Sequence, residues 1–340
     1  MGYSHIKNSY GAIIMATGIT ISLPISDFIP ESIIKWITTA LITIILFLIF
    51  QYTKDAFYRR FYRLHLQHPL TSFANGTWVA GISVGILIVV HVFPSLTSIA
   101  KFFFIGNVVL WLLYILLVVR NFFVLSKVKE YRQHTNGILL LSCVSTQSIV
   151  LSGETLFGDW IPGGIFTFLI YFGFSFYLLS LLFMTRSILT KQIHNLADNW
   201  MNMNCIIHGA LSITGYASIM THATPNSFIN GIWWTALILV LAIEGIEYIR
   251  MVQRVKRYGW RDGVFSYSRT QWARNFTLAM FLTFTLHFSP TAFHLLNRYI
   301  GAEYIVLLLI LIEYILFLQH ILAVIVLKSK GRVKDEGLTF

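Results

Sequence analysis

Apolar residues gather in ten runs of about 20 positions, at 9–28, 32–51, 74–93, 102–122, 136–154, 163–185, 203–222, 230–249, 273–292 and 303–327. A helix of about 20 residues crosses the roughly 30 Å hydrocarbon core of a bilayer. It also satisfies its own backbone hydrogen bonds there, which an open strand cannot. The runs are too long and too evenly apolar for barrel strands. The pattern predicts an all-α polytopic membrane protein, with residues 1–340 as a single transmembrane domain that ends in a short basic tail at 328–340.

Composition agrees and charge adds an orientation. Only 11% of the residues are charged and 56% are hydrophobic. A net charge of +11 could point to nucleic acid, but its distribution gives another reason. Of the 25 Lys and Arg, 22 lie at the two ends of the chain or in the connections that follow even-numbered runs; only Lys35, Lys101 and Arg298 fall on the other side. Cytoplasmic loops of membrane proteins collect such residues. Both termini are therefore expected in the cytoplasm, and no nucleic acid is needed as a partner. Cys143 and Cys205 form no CxxC or zinc pattern and read as small buried side chains. The first run lacks a convincing cleavage site and reads as a retained span.

The odd and even runs differ. In 18-residue windows, Gly, Ser and Thr fill 30 of 90 odd-run positions but 10 of 90 even-run positions. Small residues let helices approach closely or leave room beside a water-filled path. Either use places the odd helices inside and the bulky even ones against lipid. Five helical hairpins then make a two-layered bundle whose inner ring can surround an axis. A tightly packed bundle without a pore, as in a scaffold or membrane enzyme, satisfies the same statistic.

Three short motifs carry a resemblance. The first run holds "MATGI" at 15–19, the third is introduced by "HPLTSFANGT" at 68–77, and the ninth opens on "YSRTQWARNF" at 267–276. Together they resemble the tellurite-resistance/dicarboxylate transporter family, which includes TehA-like proteins, plant slow-type anion channels, fungal malate permeases and sulfite pumps. The resemblance implies five hairpins around a central pore, homotrimers, and small inorganic or organic anions as substrates. It also implies an aromatic ring on the ninth helix that occludes the pore, and Phe276 is the matching position. The expected setting is the plasma membrane of a prokaryote. Family members often place Pro after the gating Phe; here Thr277 follows it.

Other residues are weighed on their chemistry. Thr17, Gly18, Gly76, Thr77, Ser145, Ser148, His208, Gly209 and Ser212 are pore-lining candidates from the odd runs. A histidine inside a span is costly and marks function by default. Arg274, Glu244 and Glu247 are candidates for the inner mouth or for proton coupling, and Glu244, Glu247 and Arg250 can share one helix face. Arg274 stands two residues, about 200°, from Phe276, so the two should not face the same way. Glu313, in the most apolar run, needs a partner. An alternative reading is a proton-coupled exporter or importer of C4-dicarboxylate, sulfite or tellurite-like oxyanions on the same fold. A weaker one is an intramembrane enzyme, or a haem protein using His91, His208, His222, His287 or His294. No nucleophile elbow, HExxH, Walker or aspartate-rich motif supports catalysis, and no cofactor or metal is expected.

Overall fold

The computed structural model describes residues 9–22, 31–56, 66–158, 160–268, 270–288 and 302–329. These form ten helices of 14 residues or more: α1 (Ser9–Ser22), α2 (Glu31–Ala56), α3 (Gly76–Val92), α4 (Thr97–Lys127), α5 (Leu141–Phe157), α6 (Gly163–Ser187), α7 (Ile206–Thr221), α8 (Asn226–Gly263), α9 (Gln271–Phe288) and α10 (Ala302–Ser329). Among the described residues there is no strand.

Local chemistry sets several of the ends. Pro162 and Pro225 stand immediately before α6 and α8, where a fixed φ suits the first turn and no N–H is lost. The Asn136 side chain accepts from the Ile138 N–H at 3.0 Å and starts the 3₁₀ turn that leads into α5. His68 does the same work ahead of α3: its Nδ1 accepts from the Leu70 N–H at 3.3 Å and the Thr71 N–H at 3.5 Å.

The odd helices close a ring. α1 packs on α3, α3 on α5, α5 on α7, α7 on α9, and α9 returns to α1. Each even helix lies in the groove between two neighbours of that ring: α2 on α1 and α3, α4 on α3 and α5, α6 on α5 and α7, α8 on α7 and α9, α10 on α9 and α1. Burial follows the layers. In an apolar 18-residue stretch of Thr71–Val92 and of Gly137–Phe157, 72% and 89% is buried, against 33%, 33% and 28% in those of Pro94–Lys127, Gly163–Thr190 and Asn226–Gly263.

Small residues make the inner contacts possible. A Cβ on Gly11 would lie 2.4 Å from the Thr77 hydroxyl, one on Gly18 2.3 Å from Val84, and one on Gly209 2.3 Å from the Thr277 methyl. Single buried hydrogen bonds then tie the outer layer to the inner. Asn107 of α4 donates to the Val79 carbonyl (3.1 Å) and to Ser83 Oγ (2.9 Å). Trp111 of α4 donates to Thr146 at 3.1 Å, Gln147 of α5 to the Ile170 carbonyl at 3.0 Å, and Trp233 of α8 to Thr285 at 3.1 Å. Interhelical bonds of this kind contribute roughly 0.6 kcal/mol each.

The outer surface is apolar. Trp36, Phe102, Leu116, Leu182 and Leu241 are each more than 60% exposed. Among the described residues, five helical stretches are long and apolar enough to cross a membrane, and shorter apolar stretches lie in α1, α2 and α10. The protein is a multi-pass helical membrane protein, with lipid as the solvent of the outer layer.

One helix departs from the sequence expectation. The eighth apolar run covers 230–249, but α8 runs on to Gly263, 38 residues in all. Up to the turn at Gly259 it rises about 50 Å at 1.5 Å per residue, well beyond the hydrocarbon core. Its last third is rich in Arg and Lys and turns at Gly259, whose φ of 73° suits only glycine.

Candidate functional site

The face of α9 that carries Phe276 can be read from what the other faces touch. Thr277 and Phe284 meet Gly209 and Gly215 of α7. Asn275 donates to Thr20 of α1 at 3.4 Å. Arg274 and Thr285 reach α8 through Glu244 and Trp233. With about 100° per residue, the arc left over holds Phe276, Met280 and Thr283, and all three are 0% exposed. That arc lies between the two ring neighbours and opposite the outer helix, so it turns toward the middle of the ring. Met280 and Thr283 were missed in the sequence, although spacings of four and seven from Phe276 mark the same face.

On α5 the same reasoning selects serine. Cys143 reaches α7 through Thr214 Oγ1 at 3.5 Å, Thr146 takes the bond from Trp111 of α4, and Gln147 reaches α6. Ser145 approaches the Tyr114 hydroxyl of α4. Ser148 and Ser152 occupy the remaining face, buried, with their hydroxyls bonded to the carbonyls of Val144 and Ser148 at 2.8 Å. Their lone pairs offer polarity without charge.

The other pore-lining candidates distribute differently. Gly18, Thr77 and Gly209 sit at contacts between inner helices, and Gly76 sits against Tyr114 and the Leu141 carbonyl. Thr17 is partly exposed. Ser212 donates to the His208 carbonyl at 2.8 Å. His208 is fully buried, and neither ring nitrogen has a hydrogen-bond partner among the described residues. It shares a face of α7 with Cys205, one turn earlier, and both lie within electrostatic reach of Arg274. That face turns toward the junction of α7, α8 and α9.

At this junction the charges cluster. Arg274 pairs with Glu244 and lies 3.9 Å from Glu247. Glu247, buried, pairs with Arg250 at 3.2 Å and accepts from the Trp200 indole at 2.9 Å. Arg250 also reaches Asn202, which donates to Thr270 at 3.0 Å. Farther along, Arg254 donates to the carbonyls of Gly263 (2.9 Å), Ala197 (3.1 Å) and Asp262 (3.1 Å), holding the turned-back end of α8. Asp198 pairs with Arg257 and accepts from Tyr258 at 2.5 Å. The hydrogen bonds from Tyr258 and Asn195, with the nearby Arg257 and Arg254, hold its carboxyl below the usual range. Trp200, Asn202 and Thr270 had no signal in the sequence, since their partners lie some 47 to 68 positions away. The side chain of Glu313 and the whole of His294 lie outside the described residues.

Among the described residues, the face of α9 with Phe276, Met280 and Thr283 and the face of α5 with Ser148 and Ser152 carry no charged side chain, and the charged residues named above lie at one end of the bundle. A family model described as voltage-dependent anion channel matches residues 5–320. The chain belongs to that family. No curated protein matches it significantly. Membership supplies the general activity, movement of anions across a membrane by a channel or transporter.

Proposed function

We propose that the protein conducts small anions passively through the middle of the five-helix ring and that the Phe276 side chain closes this path. The observation that carries the reading is the placement of Phe276 on the one arc of α9 unclaimed by α7, α8 or α1, fully buried beside Met280 and Thr283. A hydrophobic ring in a narrow path stops ions by excluding water. Ser148 and Ser152 supply uncharged polar atoms along it, and the basic cytoplasmic side raises the local anion concentration. The setting is the plasma membrane of a prokaryote with both termini inside, and the assembly is a homotrimer joined through the apolar outer faces. Anions from chloride and nitrate to small dicarboxylates fit a path that selects by sign.

The proton-coupled alternative has less support, because both of its carboxylates, Glu244 and Glu247, are engaged with arginines. The test is conductance of purified protein in planar bilayers. Phe276→Ala should raise steady anion current at least several-fold over the parent. An unchanged current from a folded variant would sink the gate, and a current driven only by a pH gradient would favour the coupled carrier.

A further inference from the structure

Arg274 precedes Phe276 by two residues, and the two side chains leave α9 on nearly opposite sides. The Arg274 guanidinium is held by Glu244 and lies 3.9 Å from Glu247, both on α8. Glu247 is fixed in turn by Trp200 and Arg250. Arg250 continues to Asn202, and Asn202 to Thr270, one residue before α9 begins. The cluster therefore grips the first turn of α9 from outside the ring and also grips the segment that leads into it. On the inside of the ring, the same turn carries Phe276.

This geometry has a mechanical consequence. Moving a phenylalanine out of a packed path takes either a rotamer change or a small rotation of its helix. Thr277 fills the space above Gly209 on one side, where even a methyl would lie 2.3 Å away. The ion pairs fix the helix on the outer side. A rotation of α9 must break charge-assisted hydrogen bonds in a partly buried site, which are about twice as strong as neutral ones. Neither charge has another role visible at this junction. Arg274 points away from the middle of the ring, so it is poorly placed to meet a passing anion, and the carboxylates of α8 are engaged with it on the outer side of α9.

We propose that Arg274, with Glu244 and Glu247 of α8, is a positioning clamp that sets the rotation of α9 and so holds Phe276 in the closed position. This rests on the reading of Phe276 as the gate. Its input side is the α6–α7 connection: Trp200 and Asn202 place that segment directly on the clamp, so a movement there reaches Phe276 through two hydrogen bonds and an ion pair.

The experiment compares bilayer conductance of the full-length protein with Arg274→Ala, Arg274→Lys and Glu244→Gln, each alone and combined with Phe276→Ala. Arg274→Ala and Glu244→Gln should each raise anion current several-fold in the parent background. Arg274→Lys, which keeps the charge, should restore most of the parent behaviour. Combined with Phe276→Ala, the clamp substitutions should add nothing, because the ring they position is gone. Equal effects with and without Phe276 would overturn the clamp and assign Arg274 a direct action on the anion. No effect of either clamp substitution in folded protein would overturn it too. If Phe276→Ala alone is silent, the gate reading fails rather than the clamp. Should Arg274→Ala not yield a folded protein, Glu244→Gln carries the same comparison, since it removes a charge and keeps the shape.

Discussion

A Cβ placed on Gly215 of α7 would lie 2.1 Å from the ring of Phe284, whereas one on Gly231 or Gly245 of α8, or on Gly106 of α4, meets nothing within 4 Å. The two layers of the bundle thus use the same residue in opposite ways. In the inner ring, glycine is a space into which a neighbouring helix fits. In the outer layer it is a gap that lipid fills. Gly173 of α6 is the instructive mixed case: it lies on an outer helix, but on the face against α5, and a Cβ there would lie 2.5 Å from the Gln147 amide. What decides a glycine's role is the face it occupies, and the layers differ because the inner helices have helices on three sides.

The largest expected effect breaks this comparison directly. Gly215→Val should destabilise the protein by at least the roughly 1–3 kcal/mol typical of overpacking, read as a lowered unfolding temperature in detergent. Phe284→Leu in the same chain should recover part of the loss, because the clash is with the far end of that ring. Gly245→Ala, the outer-layer counterpart, should leave stability within about 0.5 kcal/mol of the parent. Equal losses at Gly215 and Gly245 would show that glycine acts through backbone freedom rather than through space.

A second test sharpens the picture of the inner layer's polar atoms. Asn107, Trp111 and Trp233 each reach across the layers to a partner, whereas both ring nitrogens of His208 have none among the described residues. A buried polar group without a partner costs about 1–3 kcal/mol. His208→Leu, of similar bulk, should therefore raise stability by about 1 kcal/mol, measured by thermal or denaturant unfolding in detergent. A loss of that size would mean that the imidazole is satisfied in the membrane, by water or by lipid. A stabilised protein with altered conductance would show that the histidine is kept for function.

These contrasts also explain how much could be read from the chain alone. The layering was legible because it is written in volume: α5 carries five serines and threonines from Ser142 to Ser152, while the Leu-rich stretch 112–117 in α4 carries none. The family was legible from short motifs. The separation of Arg274 from Phe276 followed from helical period alone. The extension of α8 beyond its apolar run was not, because charge was taken as the end of a span. Yet 250–258 contains no helix breaker, and only Gly259 interrupts it. The placement of His208 was also hidden. A span's periodicity says which residues share a face, but not whether that face meets the axis or the next helix. Only contacts such as Gly209 with Thr277 decide that.

The smallest effect is expected where the inner layer begins. His68 accepts two backbone N–H bonds through Nδ1, packs edge-on against Tyr131 at 5.4 Å, and leads into the 3₁₀ turn before α3. Acceptance through Nδ1 requires that ring nitrogen to be unprotonated. Burial lowers the pKa of His68 below its ordinary 6.5. The folded protein thus binds fewer protons at this site than the unfolded chain. By linkage, its contribution to stability is complete above about pH 6.5 and declines as the pH falls below that value toward the folded pKa. The group is only partly buried, so the loss should be a fraction of a kcal/mol. Unfolding temperatures of the parent and of His68→Asn should converge slightly between pH 7 and pH 5, since Asn can accept the same N–H bonds without titrating. A difference that stays constant over that range would mean that His68 keeps α3 in place by its packing on Tyr131 rather than by its acceptor nitrogen.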